Sequence, residues 1–180
     1  METLECIRTR RSIRKYADTP VTKEEIHKVI EAALHAPSWK NTQTSGYVVV
    51  MNQEKKNYIA DNCVLGFGKN QKIIHSAPAL IILTTKNHIS GYEKDGTPTT
   101  DKNSHWESFD AGIAAQTLCL AAHDLGLGTV IMGINDDKKT AEAVNLPEGQ
   151  SVSALIAIGH PASDVPSVKR KTLEEKLTII

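Results

Sequence analysis

The sequence predicts an α+β fold, and three observations carry that prediction. Four short runs have the length and the β-branched or apolar make-up of strands, around residues 47–51, 79–84, 129–132 and 152–158. Two longer segments space their apolar residues as helices do, around 22–36 and 104–125. Helices and strands are mixed without the strict alternation of a doubly wound parallel sheet, and no internal repeat or low-complexity segment interrupts them. The 180 residues read as a single domain, 1–180, large enough for a hydrophobic core. Hydrophobic residues at 40% and charged residues at 23% are ordinary for a globular chain.

In chain order, residues 3–10 predict a short helix with Leu4 and Ile7 on one side, and Pro20 breaks the chain after it. Thr22-Lys23-Glu24-Glu25 is a capping box, in which hydroxyl and carboxylate satisfy each other's backbone amides. Ile26, Val29, Ile30, Ala33 and Leu34 then form one apolar stripe, and the helix stops before Pro37 because the residue preceding proline avoids helical geometry. A polar loop over 37–46, carrying Trp39, leads to the first strand. A helix follows at 53–62, a turn at Gly66-Phe67-Gly68, a short helix at 72–76 and a buried strand at 79–84. Residues 86–104 form a long polar loop. The helix over 104–125 is apolar round most of its circumference, so it must be covered on nearly all sides, as a central helix and as a subunit interface. Gly126-Leu127-Gly128 closes it before the third strand. Asn135 or Asp136 caps a short helix to about 144, and a fourth strand spans 152–158. The tail carries Lys169-Arg170-Lys171 and ends apolar at Leu177-Thr178-Ile179-Ile180. Such a terminus packs on something, here another subunit.

Lys+Arg and Asp+Glu are 21 each, a balance that argues against a dedicated nucleic-acid binder. Cys6, Cys63 and Cys119 are odd in number and far apart, with no zinc spacing, which suits a reducing compartment. No secretory leader and no membrane-spanning run is visible, so a cytoplasmic protein is expected. Several chemistries lack their motifs: there is no GxGxxG after a strand, no Walker loop (Gly68-Lys69 lacks the upstream glycine and the following hydroxyl), no nucleophile elbow and no His-Glu-x-x-His. Paired carboxylates at Glu24/Glu25, Asp136/Asp137 and Glu174/Glu175 lie at helix starts, where the helix dipole accounts for them. No side chain advertises itself as nucleophile, base or metal ligand, a pattern that suits a protein whose cofactor carries the chemistry.

The most unusual stretch is Arg10-Arg11-Ser12-Ile13-Arg14-Lys15-Tyr16, with four cations and a hydroxyl between residues 10 and 15. It is either a solvated basic face or an anion site, since arginine forks match phosphate oxygens.

This stretch, after a short helix, resembles the opening motif of the FMN-dependent nitroreductase family. Pro37-Ser38-Trp39-Lys40-Asn41-Thr42-Gln43 resembles its second motif. Asp110-Ala111-Gly112 through Gly126-Leu127-Gly128-Thr129 resembles its long central helix, and Arg170 with Lys171-Thr172-Leu173-Glu174-Glu175 its C-terminal signature. The resemblance runs over nearly the whole chain in family order. It implies a central, mostly antiparallel sheet flanked by helices, in an intertwined homodimer with FMN at the subunit interface. The extension at about 165–180 would pack on the partner subunit. Carried over, Arg10, Arg14 and Ser12 hold the FMN phosphate, ribityl chain or N1/O2 edge, with Arg11 contributing mainly through its backbone. Pro37, Ser38 and Asn41 reach the flavin from the partner, with Trp39 either facing it or packing. Met132 and Gly133 lie beside the ring system, and Arg170, with Lys169, completes the phosphate site. The implied activity is hydride transfer from NADH or NADPH through FMN to a nitroaromatic or quinone, in a ping-pong cycle, with Arg14 stabilising the reduced flavin and no catalytic side chain or metal. A non-catalytic flavin-binding protein on the same fold is the alternative. The departures are Gln43 followed by Thr44-Ser45-Gly46, where many members carry Pro-Trp, and Met132, where some carry glutamate.

Overall fold

A computed structural model describes residues 1–180. In chain order it contains α1 (Thr3–Thr9), α2 (Lys23–Ala33), a 3₁₀ turn (Trp39–Asn41), β1 (Ser45–Val50), α3 (Gln53–Asn62), α4 (Gly68–Ser76), β2 (Ala79–Lys86), α5 (His105–Asp124), β3 (Gly128–Met132), α6 (Asp137–Ala143) and β4 (Gln150–Gly159). The four strands make one sheet in the order β1-β2-β4-β3, and every pairing is antiparallel.

Side chains alternate across a strand, so the sheet divides the core in two. Ala79, Ile81 and Leu83 of β2 join Ile156 and Ile158 of β4 against α2 and α5. Leu80 and Ile82 join Leu155, Ala157, Val130 and Met132 against residues of α3, α4 and α6. The result is a sheet between two helical layers, the α+β arrangement the sequence predicts. Covered on both faces, β2 reads as a continuous apolar run rather than an alternating one.

Local chemistry explains the helix boundaries. The Glu25 amide donates to Thr22 Oγ1 at 3.1 Å and the Thr22 amide donates to the Glu25 carboxylate at 2.8 Å, forming the predicted box. Those hydrogen bonds hold the Glu25 carboxyl below its ordinary pKa. Asn52 and Asp136 cap α3 and α6 in the same way. The fourth helix begins at Gly68, ahead of the stretch its apolar residues predict, because Lys69, Asn70 and Gln71 disguise the first turn. Asn70 is nevertheless buried, donating to the Ile134 carbonyl at 3.0 Å. Lys56 of α3, 1% exposed, donates to the Ala77 carbonyl just past the end of α4 and so joins the two helices.

The helix α5 is covered over half of its circumference. Asp110, Ala111, Ala114, Ala115, Leu118, Cys119 and Ala122 are buried on their own sheet, whereas Phe109 is 59% exposed and Gly112 and Gln116 are open. The single chain therefore supplies half of the burial that this helix's composition demands. The tail beyond Ala162 is exposed throughout, including Leu173, Leu177, Ile179 and Ile180.

Burial raises the pKa of Cys6, Cys63, Cys119, Tyr16 and Tyr47. Each is an acid whose neutral form the folded state favours. Above the ordinary cysteine value of 9.0 the unfolded chain releases these protons first. The stability contributed by their neutral forms is complete below that pH and is lost as pH rises toward the folded values. Buried Lys56, whose pKa burial lowers, acts in the opposite direction, but as one group against five. Urea denaturation under reducing conditions, on either side of pH 9.0, is expected to show stability falling with pH; a flat or rising profile would contradict these burials.

Candidate functional site

The basic stretch is held in a defined place. After α1 the chain runs beside β3: the Ile13 amide donates to the Thr129 carbonyl at 2.9 Å, with Ser12 opposite Thr129 in a parallel bridge. Tyr16 Oη donates to the Ile13 carbonyl at 2.9 Å, and the Ala17 amide to the His160 carbonyl at 2.9 Å. Close approach to β3 requires Gly128, because a Cβ there would sit 2.5 Å from Ile13 Cγ1.

The three arginines leave this backbone in different directions. Arg11 turns back, its Nη1 donating to the Arg8 carbonyl at 2.7 Å and the Arg10 carbonyl at 2.9 Å, so its guanidinium is engaged at the end of α1. Arg10 lies over the C-terminal half of α5, near enough to act on Cys119 and His123. Burial, then the charges of Arg10 and Arg11, keeps the His123 pKa low, and its Nε2 lies 2.8 Å from Thr9 Oγ1. Arg14 is exposed and borders a cleft of about 580 Å³ lined by Phe67, Lys69, Asn70, Ile73, Val130, Ile131, Met132, Gly133 and Ile134. The chain's six ion pairs use no arginine, so Arg10 and Arg14 carry charge that no carboxylate balances.

This cleft has the composition a flavin requires. Arg14 and Lys69 are the two cationic residues of its lining, and Lys69 lies in the first turn of α4, where the helix dipole also favours negative charge. Ile131 and Ile134 expose an apolar surface, and nothing lies within 4 Å of a Cβ built on Gly133, so a planar ring has open access to the backbone there. The volume is in the range of small-molecule sites. Met132 borders the cleft, but its side chain is buried in the core, so Gly133 rather than Met132 offers a free surface.

The second predicted group is elsewhere. Pro37, Ser38, Trp39 and Asn41 lie on a loop that contributes nothing to the Arg14 cleft of the same chain. The loop is closed on itself: the Gln43 amide donates to Ser38 Oγ at 2.9 Å and the Thr42 amide to the Trp39 carbonyl at 2.8 Å. Trp39 is tilted against Trp106 of α5 at 4.6 Å between centroids. Lys169 and Arg170 lie on the exposed tail and border none of the five principal clefts. Two residues here were not singled out from the sequence. Lys69 carried a signal, a cation just after a glycine, which was set aside for want of the rest of a phosphate loop. Asp110 carried another, an acid inside an apolar helix.

The matches to known proteins follow this geometry. Residues 7–160 match the Nitroreductase family model. The NADPH-flavin oxidoreductase of Vibrio harveyi is 32% identical over 175 residues, covering 93% of this chain and 68% of that protein. A putative nitroreductase from Desulfovibrio desulfuricans, solved in complex with FMN, superposes with a TM-score of 0.78 at 28% identity, over 100% of this chain and 97% of that one. A nitroreductase family protein of Streptococcus pneumoniae has a TM-score of 0.87 over 99% of this chain and 100% of that one, and at 23% identity it shows the fold alone. With the family model spanning the sheet, both helical layers and the Arg10–Arg14 stretch, the chain belongs to the nitroreductase family.

Proposed function

We propose that the protein is an FMN-dependent NAD(P)H oxidoreductase that works as a homodimer, with each flavin held between two copies. The observation that carries this reading is the cleft that Arg14, Lys69 and the open backbone at Gly133 line together. Bound FMN would supply the redox chemistry, hydride transfer between NADH or NADPH and a nitroaromatic or quinone acceptor in a ping-pong cycle. The chain's own residues bind and orient. Arg10, Arg14 and Ser12 share the phosphate, the ribityl chain and the N1/O2 edge of the cofactor, with Arg14, the one of the three that borders the cleft, supplying positive charge where reduction builds negative charge. Gly133 leaves space for the ring and a free backbone amide beside it.

The dimer completes what one chain leaves open. Half of α5 is uncovered, the outer edge of β1 is unpaired, and an apolar groove of about 620 Å³ lies beside it, lined by Ile26, Ile30, Leu34, Tyr47, Val49 and Met51 among others. The exposed apolar tail of a second copy matches these surfaces in chemistry. In that arrangement Pro37, Ser38, Trp39 and Asn41 serve the flavin of the other copy, and Lys169 and Arg170 add charge at its phosphate. No helix is long and apolar enough to cross a membrane. The three buried free cysteines suit the cytoplasm.

An absorbance spectrum tests the activity. The purified protein is expected to be yellow, to bleach on adding NADH or NADPH without oxygen, and to recover its colour with a nitroaromatic or quinone. Colour without bleaching would identify a binder rather than an enzyme. A colourless protein that cannot be loaded with FMN would overturn the reading altogether.

A further inference from the structure

We propose that Asp110 is a positioning residue for the flavin, acting across the subunit interface by fixing the 38–43 loop to α5; this rests on the shared-pocket reading above. Asp110 is 2% exposed on a helix that is otherwise apolar on its buried side. Its carboxylate accepts the Trp39 amide, at 3.1 Å to Oδ1 and 3.0 Å to Oδ2, and the hydroxyl of Ser90, 0% exposed, at 2.7 Å to Oδ2. It takes part in none of the six ion pairs. A buried carboxylate without a cation is costly, and it is tolerated here because its acceptor capacity meets donors from two separate segments.

The loop needs such an anchor. Lys40, Asn41 and Gln43 all have positive φ, at 44°, 55° and 51°, a conformation that costs energy for residues with side chains. The bonds inside the loop give it shape but not location. Outward, Trp39 packs on Trp106 and the Lys86 amide holds the Thr44 carbonyl at the start of β1, while the polar ties of the loop itself are the Asp110 contact and the Lys40–Glu93 ion pair at 3.0 Å, which is exposed on both sides and therefore weak. Ser38 and Asn41 flank the anchored Trp39 amide, so Asp110 sets where both of them project. Through Ser90 the same carboxylate holds the 87–104 segment, which makes the flavin-facing loop and the neighbouring loop one unit. An asparagine of the same shape puts a donor where one of these oxygens stands: its amide nitrogen then either opposes the Trp39 N–H or takes the Ser90 oxygen as acceptor and leaves the Ser90 O–H without the carboxylate it donated to.

The test uses full-length protein. Asp110→Asn is expected to weaken FMN binding roughly tenfold to a hundredfold, from one buried group left unpaired. The decisive measurement co-expresses an Asp110→Asn subunit with an Arg10→Ala/Arg14→Ala subunit on different tags. Acting across the interface, Asp110 leaves one pocket of the mixed dimer wholly intact, built from the arginines of the first subunit and the loop of the second. The mixed dimer is then expected to hold half the flavin of the unaltered dimer, with both parent homodimers depleted. A purely structural role, or action within one subunit, gives no such recovery and overturns the proposal. Full flavin in the arginine parent instead contradicts the phosphate assignment, a separate failure. If Asp110→Asn does not assemble, Ser90→Ala removes a single donor to the same carboxylate, and FMN affinity unchanged by it overturns the proposal.

Discussion

Replacing Arg10 and Arg14 together by alanine is expected to lower FMN affinity by two to four orders of magnitude while leaving the chain folded. Under the proposed anion site each change would remove a charge-assisted hydrogen bond to a phosphate or flavin oxygen, together about 3–6 kcal/mol. Structural cost is small, because Arg14 is exposed and neither residue has an ion-pair partner to abandon. Arg11 makes the useful contrast. Its guanidinium donates to the carbonyls of Arg8 and Arg10 at 2.7 and 2.9 Å, whereas Arg14 makes one longer, exposed bond to the Ser12 carbonyl at 3.2 Å, so Arg11→Ala is expected to act mainly by loosening the end of α1. Titration of the apoprotein with FMN, followed by flavin fluorescence, separates the two cases. Unchanged affinity in the Arg10/Arg14 variant would remove the anion site from the account.

Deleting residues 165–180 is expected to convert the proposed dimer to monomers and to empty the flavin site, while each subunit keeps its sheet. The tail is exposed along its whole length in the single chain, so its removal takes nothing from either core cluster. What it removes is Leu173, Leu177, Ile179 and Ile180, apolar side chains without cover in one copy. Burying a few of these on the groove beside β1 is worth about 4 kcal/mol or more after the costs of association, roughly a thousandfold in dimer affinity. Sedimentation velocity across a concentration series checks the assembly, and the flavin spectrum checks the site. A shortened protein that remains dimeric at low concentration would show that α5 and its exposed Phe109 carry the interface without the tail.

Much of the secondary structure was legible because its causes are local. The Thr22–Glu25 box, the Asp136 cap and the proline after α2 act within one turn of chain. Strand identity followed from β-branched composition, and the two-sided burial of β2 from its unbroken apolar run. The start of α4 was hidden because Lys69, Asn70 and Gln71 are polar for tertiary reasons: Asn70 bonds to the Ile134 carbonyl and Lys69 borders the cleft. The burial of Lys56 left no local trace either, since its partner, the Ala77 carbonyl just past the end of α4, lies 21 residues away in the chain.

The site divides along the same line. Clustered charge within a few positions made Arg10–Arg14 stand out as either a solvated basic face or an anion site, and only the family resemblance gave the stretch and the 37–43 loop an expected place at a cofactor. Nothing so local places Arg14 with Lys69 and Gly133. That meeting depends on the strand order β1-β2-β4-β3, on β3 as an edge strand, and on Gly128 letting the N-terminal stretch lie against it. The convergence of Trp39, Ser90 and Asp110 likewise needs three segments brought together. Hydrogen-bonding potential is written in each residue, but a partner distant in sequence is chosen by packing, and packing is a property of the whole folded chain.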